Sequence, residues 1–299
     1  MHIHKAFKNE RLLKALTGVS KAEFDELLPT FEQCLGQDLR ARSAATERKF
    51  GGGAKGRLPD TASKLFFVLM YLKTYPTFDF LGFIVGFDKS RASRNTHFLL
   101  GTLEKALGRK LLLPKRQIRS MDEFLERFPE AKDLFVDGAE RPVQRPRKHK
   151  QQRKLYSGKK KAHTKKTVIV TDEKKRIVLA IPTKSGRRHD KRLADKQALF
   201  ERIPETVTLW TDTGFQGIQK QHHNSMVPTK GTKRNPLTYE QKQENKLMSS
   251  LRVVVEHAIG GAKRFKAFAD IYRNKKACLE DRLMLLACGL WNLHLNHTA

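Results

Sequence analysis

Three acidic residues stand where side chains could cooperate in chemistry: Asp137, Asp212 and Glu256. Asp137 ends the apolar run Leu134-Phe135-Val136. Asp212 ends the run Val207-Thr208-Leu209-Trp210-Thr211, and Glu256 lies in a helix-like stretch over residues 251–259. Two carboxylates at strand ends and a third on a later helix can converge on a pair of divalent ions. Hard cations such as Mg²⁺, with Mn²⁺ as substitute, take carboxylate oxygens and keep several waters. Two such ions about 4 Å apart activate an oxygen nucleophile and relieve charge on the leaving oxygen of a phosphodiester.

Glu256 draws support from its own helix. At 100° per residue, Arg252, Glu256 and Lys263 fall within about 40° on one face. An arginine four residues before the glutamate can hold its orientation, and a lysine two turns on can meet a phosphate. Taken alone, Arg252 and Glu256 would be an ordinary surface pair worth a few tenths of a kcal/mol. Taken with Asp137 and Asp212, the pair reads as part of a site. Elsewhere, His189-Asp190 in the segment Ser185-Gly-Arg-Arg-His-Asp suits a proton-transfer pair and a DNA contact about equally. His222-His223 reads as solvated loop and His257 as structural. No Ser-His-Asp arrangement and no Cys/His zinc spacing is present.

Everything around these acids is basic. The 299 residues hold 60 Lys and Arg against 31 Asp and Glu, for a net charge of +29. Residues 1–130 account for +8 and residues 131–299 for +21. A field of that size attracts polyanions, and nucleic acid is the commonest such partner. Between Arg141 and Lys166 there are twelve Lys or Arg and no acid. This segment, with Lys159, Lys160 and Lys161 near its end, reads as an arm that guides phosphates, unstructured on its own. Cys34, Cys278 and Cys288 are too few and too scattered for a disulfide framework. No run approaches the ~20 apolar residues of a membrane span, and residues 1–8 show no apolar signal region. A soluble intracellular protein is expected.

The elements that must position the acids fall into two groups. Ser20 with Glu23 makes a capping box, followed by an apolar stripe, Phe24, Leu27, Leu28 and Phe31, in a helix over residues 20–36. Residues 51–56, rich in glycine, read as a loop. Asp60 or Thr61 caps a helix that runs to about Thr74 and contains a core stretch over 65–72. Thr77 caps a short apolar helix, Gly86 stops it, and Asp88 or Ser90 starts a third, from about Arg91 to Leu107. A short helix, a glycine turn and a longer helix make the helix-turn-helix plan, with Arg91, Arg94 and Asn95 placed to read base edges. Residues 109–130 read as a linker with a short helix over 120–128.

From residue 131 the period changes. The runs 134–136, 167–170, 177–182 and 207–211 have strand length and β-branched composition, and the middle two should form a hairpin. A helical stretch over 192–203 separates the last two, and the apolar C-terminus, 279–295, should pack on the sheet. An α/β domain with a mixed sheet is expected.

Several of these residues resemble a known family. Val136-Asp137-Gly138, the basic segment from Tyr156 to Lys165, Thr211-Asp212-Thr-Gly-Phe-Gln-Gly217, and Arg252 with Glu256 and Lys263 together resemble the DDE transposases of bacterial insertion sequences. The resemblance is strongest to the insertion-sequence-five group and its Harbinger-like relatives, and it covers nearly the whole chain. It implies a ribonuclease-H-like catalytic domain over 131–299, preceded by an all-α helix-turn-helix region over 1–115. It also implies magnesium held by Asp137, Asp212 and Glu256, with Arg252 and Lys263 as basic companions. The implied partners are double-stranded DNA, as transposon ends and as target, and further copies of the chain on that DNA. The implied setting is the bacterial cytoplasm, at the nucleoid. Phe215 departs from the tyrosine common there, which leaves the acids intact. A DNA-binding protein derived from such an enzyme, without its chemistry, is the alternative; the presence of all three acids argues against it.

Overall fold

The structure is a computed structural model that describes residues 3–44 and 56–298. The glycine run expected as a loop lies outside the described residues except for Gly56. The chain divides into two compact units. One takes the described residues up to Leu113, with Ala262–Asp270 and the residues from Arg282 onward; the other takes Pro114–Gly261 and Ile271–Asp281.

The first unit is helical. Its elements are α1 (Ile3–Phe7), α2 (Glu10–Thr17), α3 (Lys21–Ala44), α4 (Thr61–Thr74), α5 (Phe78–Val85) and α6 (Lys89–Arg109). The Ser20–Glu23 capping box forms in both directions, at 2.9 and 3.2 Å. Helix α3 then runs eight residues past the expected end. Helix α4 is the hub: every residue from Leu65 to Leu72 is buried. A helix apolar on all sides is stable only when surrounded, and α2, α3 and α6 pack around it. Thr77 caps α5 by accepting from the Phe80 N–H, and Asp88 caps α6 by accepting from the Arg91 N–H. Gly86 turns the chain between them at φ +76°, a left-handed conformation that favours glycine.

The second unit is built on a mixed sheet. Its elements in order are α7 (Met121–Arg127), β1 (Asp133–Pro142), α8 (His149–Leu155), β2 (Tyr156–Ser157), β3 (Ala162–Asp172), β4 (Ile177–Ala180), β5 (Lys184–Ser185), α9 (Asp190–Asp195), β6 (Thr208–Trp210), β7 (Ser225–Met226) and α10 (Tyr239–Lys263). Two more helices follow, α11 (Lys266–Ala269) and α12 (Leu279–Leu295). Strand β3 runs antiparallel to β1, β2, β4 and β5, whereas β1, β6 and β7 are parallel neighbours. The core beneath the sheet gathers Leu134, Val136, Val168, Val170, Leu209 and Phe200 with their neighbours. The expected β3–β4 hairpin is present.

Five expectations need correction. Strand β1 does not end at Asp137; it continues to Pro142 because its second half pairs with the first half of β3. The basic segment 141–166 is therefore ordered in part as strand and in part as helix α8. The stretch 192–203 holds only α9, which begins at Asp190, and a turn of 3-10 helix. The C-terminal helix does not pack on the sheet: from Arg282 onward it belongs to the helical unit, where Asn292 bonds the Leu112 carbonyl and His294 meets Glu23. Residues 109–130 are also more than a linker, since the Lys115 N–H donates to the Val178 carbonyl and the Lys115 carbonyl accepts from the Ala180 N–H, both at 2.9 Å.

Candidate active site

Parallel pairing of β1 with β6 sets Phe135 opposite Trp210. Asp137 and Asp212 each follow two residues later. Alternation along a strand has period two, so Asp137 keeps the face of Phe135 on β1, whereas Asp212 lies two residues past the end of β6, near enough for its charge to act on Asp137. Parallel pairing stops at Phe135 and Trp210, and there the strands part. Beyond that point Asp212 caps a turn of 3-10 helix, accepting from the Gly214 N–H at 2.9 Å. Asp137 accepts from the Gly138 N–H at 2.7 Å.

The guanidinium of Arg252, a buried residue of α10, lies 3.9 Å from the Asp137 carboxylate. Arg252 thus pairs with Asp137, not with the glutamate one turn along as expected. Val255, Ala258 and Ala262 bury the same side of α10, which turns Arg252 inward, whereas Glu256 is exposed. Among the described residues no three acids, histidines or cysteines are gathered closely enough to hold a metal ion. The structure therefore brings Asp137 and Asp212 together and leaves Glu256 apart from them. Lys263, half-buried, ends α10 and belongs to the helical unit. Lys159, Lys160 and Lys161 are exposed on the turn between β2 and β3.

The electrostatics describe a site with too much negative charge for its burial. Burial pushes the Asp137 carboxyl above its ordinary value, and the nearby Asp212 carboxylate pushes it further. The Gly138 N–H, Arg252 and Lys159 oppose this without cancelling it. Two hard oxygen donors with uncompensated charge fit a divalent cation, and Asp137 and Asp212 are the residues that would hold it. The chemistry such a cation supplies when bound is charge relief on phosphate oxygens and a more acidic water.

A stability effect follows from the Asp137 shift. The folded state holds the proton more tightly than the unfolded state, so stability is lost as pH rises through the ordinary aspartate value and beyond. At neutral pH the full cost is present. In metal-free buffer at pH 7, Asp137→Asn should therefore raise the melting temperature by about 2 °C, the size of a ~1 kcal/mol change in a chain of this length. The gain should vanish below the ordinary aspartate pKa of about 4. Magnesium should then stabilise the wild type more than the variant. An unchanged melting temperature at both pH values would mean that Asp137 carries no such cost.

Asp190 is the residue that sequence reasoning undervalued. Its carboxyl lies against Gly138, where a side-chain carbon would fall 2.6 Å from the Asp190 carboxyl carbon. Glycine is required there so that α9 can approach the strand carrying Asp137. Lys166 of β3 lies between Glu140 at 3.2 Å and Asp190 at 3.3 Å, with its side chain only 7% exposed. Burial alone would lower the Lys166 pKa; the two carboxylates reverse that and hold it above its usual value. Glu140 also accepts from Thr164 at 2.7 Å, and despite burial its carboxyl is held below its usual value. Asp190 is pushed the other way by burial, helped by Asp212, against the pull of Lys166. Lys166 therefore compensates Glu140 more fully than Asp190. The sequence signal was available: an Asp following Gly-Arg-Arg-His could have been weighed with the glycine after Asp137.

The histidines resolve differently. His222 is fully buried, with Nδ1 3.2 Å from the Ser225 hydroxyl and Nε2 3.1 Å from the Pro204 carbonyl oxygen. It is a structural residue and not part of a solvated loop. His257, expected to be structural, is exposed. Phe215 is buried against Phe200 at 5.9 Å between ring centroids, so a core position explains a ring without a hydroxyl.

On helix α6, the Arg91 guanidinium lies 4.9 Å from the Phe87 ring centre, and Asn95 donates to the Arg91 carbonyl at 2.8 Å. Arg94 is exposed one turn into the helix. No helix among the described residues is long and apolar enough to cross a membrane.

Comparison with known proteins places the chain in a family. Residues 136–292 match the family described as DDE superfamily endonuclease, and residues 56–109 match the helix-turn-helix of DDE superfamily endonuclease. A protein of Microchaete diplosiphon, described as "Probable transposase for insertion sequence element IS702", is 30% identical over 298 residues, covering 99% of each chain. No solved structure matches. By these matches the chain belongs to the DDE superfamily of endonucleases.

Proposed function

We propose that this chain is a DNA transposase that cuts at the ends of an insertion element and joins the freed 3′ hydroxyl to target DNA. The observation that carries this reading is Asp137 on β1 with Asp212 just past the end of the neighbouring strand β6, and the buried Arg252 3.9 Å from Asp137. Magnesium is the proposed ion, with manganese as substitute, because the donors are hard carboxylate oxygens. Glu256 is the third acid of the proposal. It sits one turn beyond Arg252, and residues four apart share a helix face, so the face that reaches Asp137 adjoins it. Lys263 and Lys159 to Lys161 would meet phosphates, and more than one copy would act on the paired DNA ends.

The proposed division of labour assigns end recognition to the helix-turn-helix region within residues 1–115 and the chemistry to the region from 131 onward. Incubation with DNA carrying the element and its flanks tests the whole reading. Cleavage at the ends and joined products should form with Mg²⁺ or Mn²⁺ and be absent in EDTA. Strong cleavage in EDTA would overturn the metal mechanism. Within the recognition region, Arg94→Ala should weaken binding to element ends about tenfold, the order of one base-edge interaction. Non-specific duplex should be affected far less, because it lacks that interaction. Equal losses on both DNAs would reduce Arg94 to a phosphate-binding residue.

A further inference from the structure

Two cavities of about 800 and 820 Å³ open side by side on the sheet unit, and they share Arg153 and Arg187. The first is walled by α8 on one side, with His149, Lys150 and Lys154. Its other wall is α9 with the segment leading into it, carrying Arg192 and Arg188 respectively. Among the described residues no acid lines either cavity. The second cavity holds the rings of Tyr156 and His163, whose planes meet at 72° with centroids 5.8 Å apart. Tyr156 is 44% exposed, so its ring is open to a ligand.

The walls are anchored, not loose. The second wall is fixed at Gly186, whose N–H donates to the Thr164 carbonyl at 2.9 Å and where any side chain would strike Thr164. Thr164 in turn donates to Glu140 of the buried ion network. The trough also leads to the acids. His189 lines the first cavity and is followed by Asp190, which feels the Asp212 charge. Gly158 and Lys161 line the second, and Lys159 between them acts electrostatically on Asp137 and Asp190.

We infer that this trough holds unpaired single-stranded DNA beside the active site, with phosphates on the arginines and a base stacked on Tyr156. The inference rests on the reading of the chain as a DNA-cleaving enzyme and says where one strand of its substrate runs. A cationic groove that tracks a backbone, interrupted by an aromatic ring, is the arrangement that binds single strands without regard to sequence. Duplex DNA keeps its base faces stacked internally and has none to offer Tyr156 except at an end. Cavities of this size accept one strand, whereas a duplex would lie across their mouths.

The test is binding of the full chain in EDTA, where no cleavage occurs, to a blunt duplex and to the same duplex with an oligo-dT tail. The first unpaired position carries 2-aminopurine, whose fluorescence is quenched by stacking. The wild type should bind the tailed duplex about tenfold more tightly than the blunt one, within the range of one base–aromatic stack, and should quench the probe. Tyr156→Ala should abolish both the preference and the additional quench, and Tyr156→Phe should keep both. Arg153→Ala combined with Arg187→Ala should lower the salt slope on the tailed duplex by about 0.7 for each phosphate no longer neutralised, and leave the blunt slope unchanged. Equal losses on both DNAs would assign the trough to duplex and overturn the inference, as would quenching that survives Tyr156→Ala. Because binding is read without metal, either result leaves the cleavage reading standing. Failure of that reading would show instead as absent metal-dependent cleavage by a protein that still prefers the tail.

Discussion

Alanine in place of Asp137 or Asp212 should lower metal-dependent cleavage at least about a thousandfold, equivalent to some 4 kcal/mol of transition-state stabilisation, while DNA affinity changes little. Asp137 lies on β1 and Asp212 just past the end of the parallel neighbour β6, and among the described residues the ion pair seen at either is that of Arg252 with Asp137 at 3.9 Å. Removing one leaves a single carboxylate to hold a doubly charged ion, so the loss falls on the chemical step. Affinity rests on the +29 charge of the chain and changes by one unit at most per substitution. Glu256→Ala is the informative companion. If Glu256 completes the site on DNA, its loss should match that of the aspartates; if it stays on the exposed side of α10, cleavage should fall only slightly. Arg252→Ala should raise the metal concentration needed for half-maximal cleavage, because the partner that orients Asp137 is removed. Near wild-type cleavage by Asp212→Ala would remove Asp212 from the site. Side-by-side cleavage and binding titrations separate these outcomes.

The strands were legible in the sequence where their residues were apolar and β-branched, and illegible where they were charged. Leu134 to Val136 announced β1, but Gly138 to Pro142 did not, because that half is held by pairing with the basic half of β3. Glu140 lies directly opposite Lys166 in that ladder. An ion pair across strands has no periodicity along either, so a run of twelve cations read as an unstructured arm. The aspartate pair was legible because both residues end apolar runs. Their nearness was not, since the pairing of β1 with β6 is a property of two strands together. Helical spacing put Arg252 near Glu256, and only the burial of α10 turned it toward Asp137. The apolar spacing of α12 announced a helix that must pack, but carried no information about which unit it packs in. The cap-and-stop signals of α4, α5 and α6 are local, and there the expected and observed boundaries agree within about two residues.

The buried ion network should prove the most fragile feature of the sheet unit. Lys166→Met keeps the length and apolar stem of the side chain but removes the ammonium from between Glu140 and Asp190. Both carboxylates are largely buried, 5% and 12% exposed, and each would then lack its cation. Breaking a buried pair on one side costs roughly 3–5 kcal/mol, because an uncompensated charge is left behind. Glu140 contributes stability above its lowered folded pKa, and that contribution disappears as pH falls through it. The Lys166→Met penalty should accordingly be largest at neutral pH and shrink in acid as the stranded carboxylates take up protons. Lys166→Arg should retain most of the stability, since the charge remains. Combining Lys166→Met with Glu140→Gln and Asp190→Asn should recover much of the loss, because no buried charge is then unpaired. Urea unfolding of the four proteins at neutral and acid pH decides the matter. A Lys166→Met variant within about 1 kcal/mol of wild type at neutral pH, the scale of an exposed pair, would mean that water reaches the network. Asp190 would then not be held against Gly138 by the lysine, and the position of α9 beside Asp137 would need another cause.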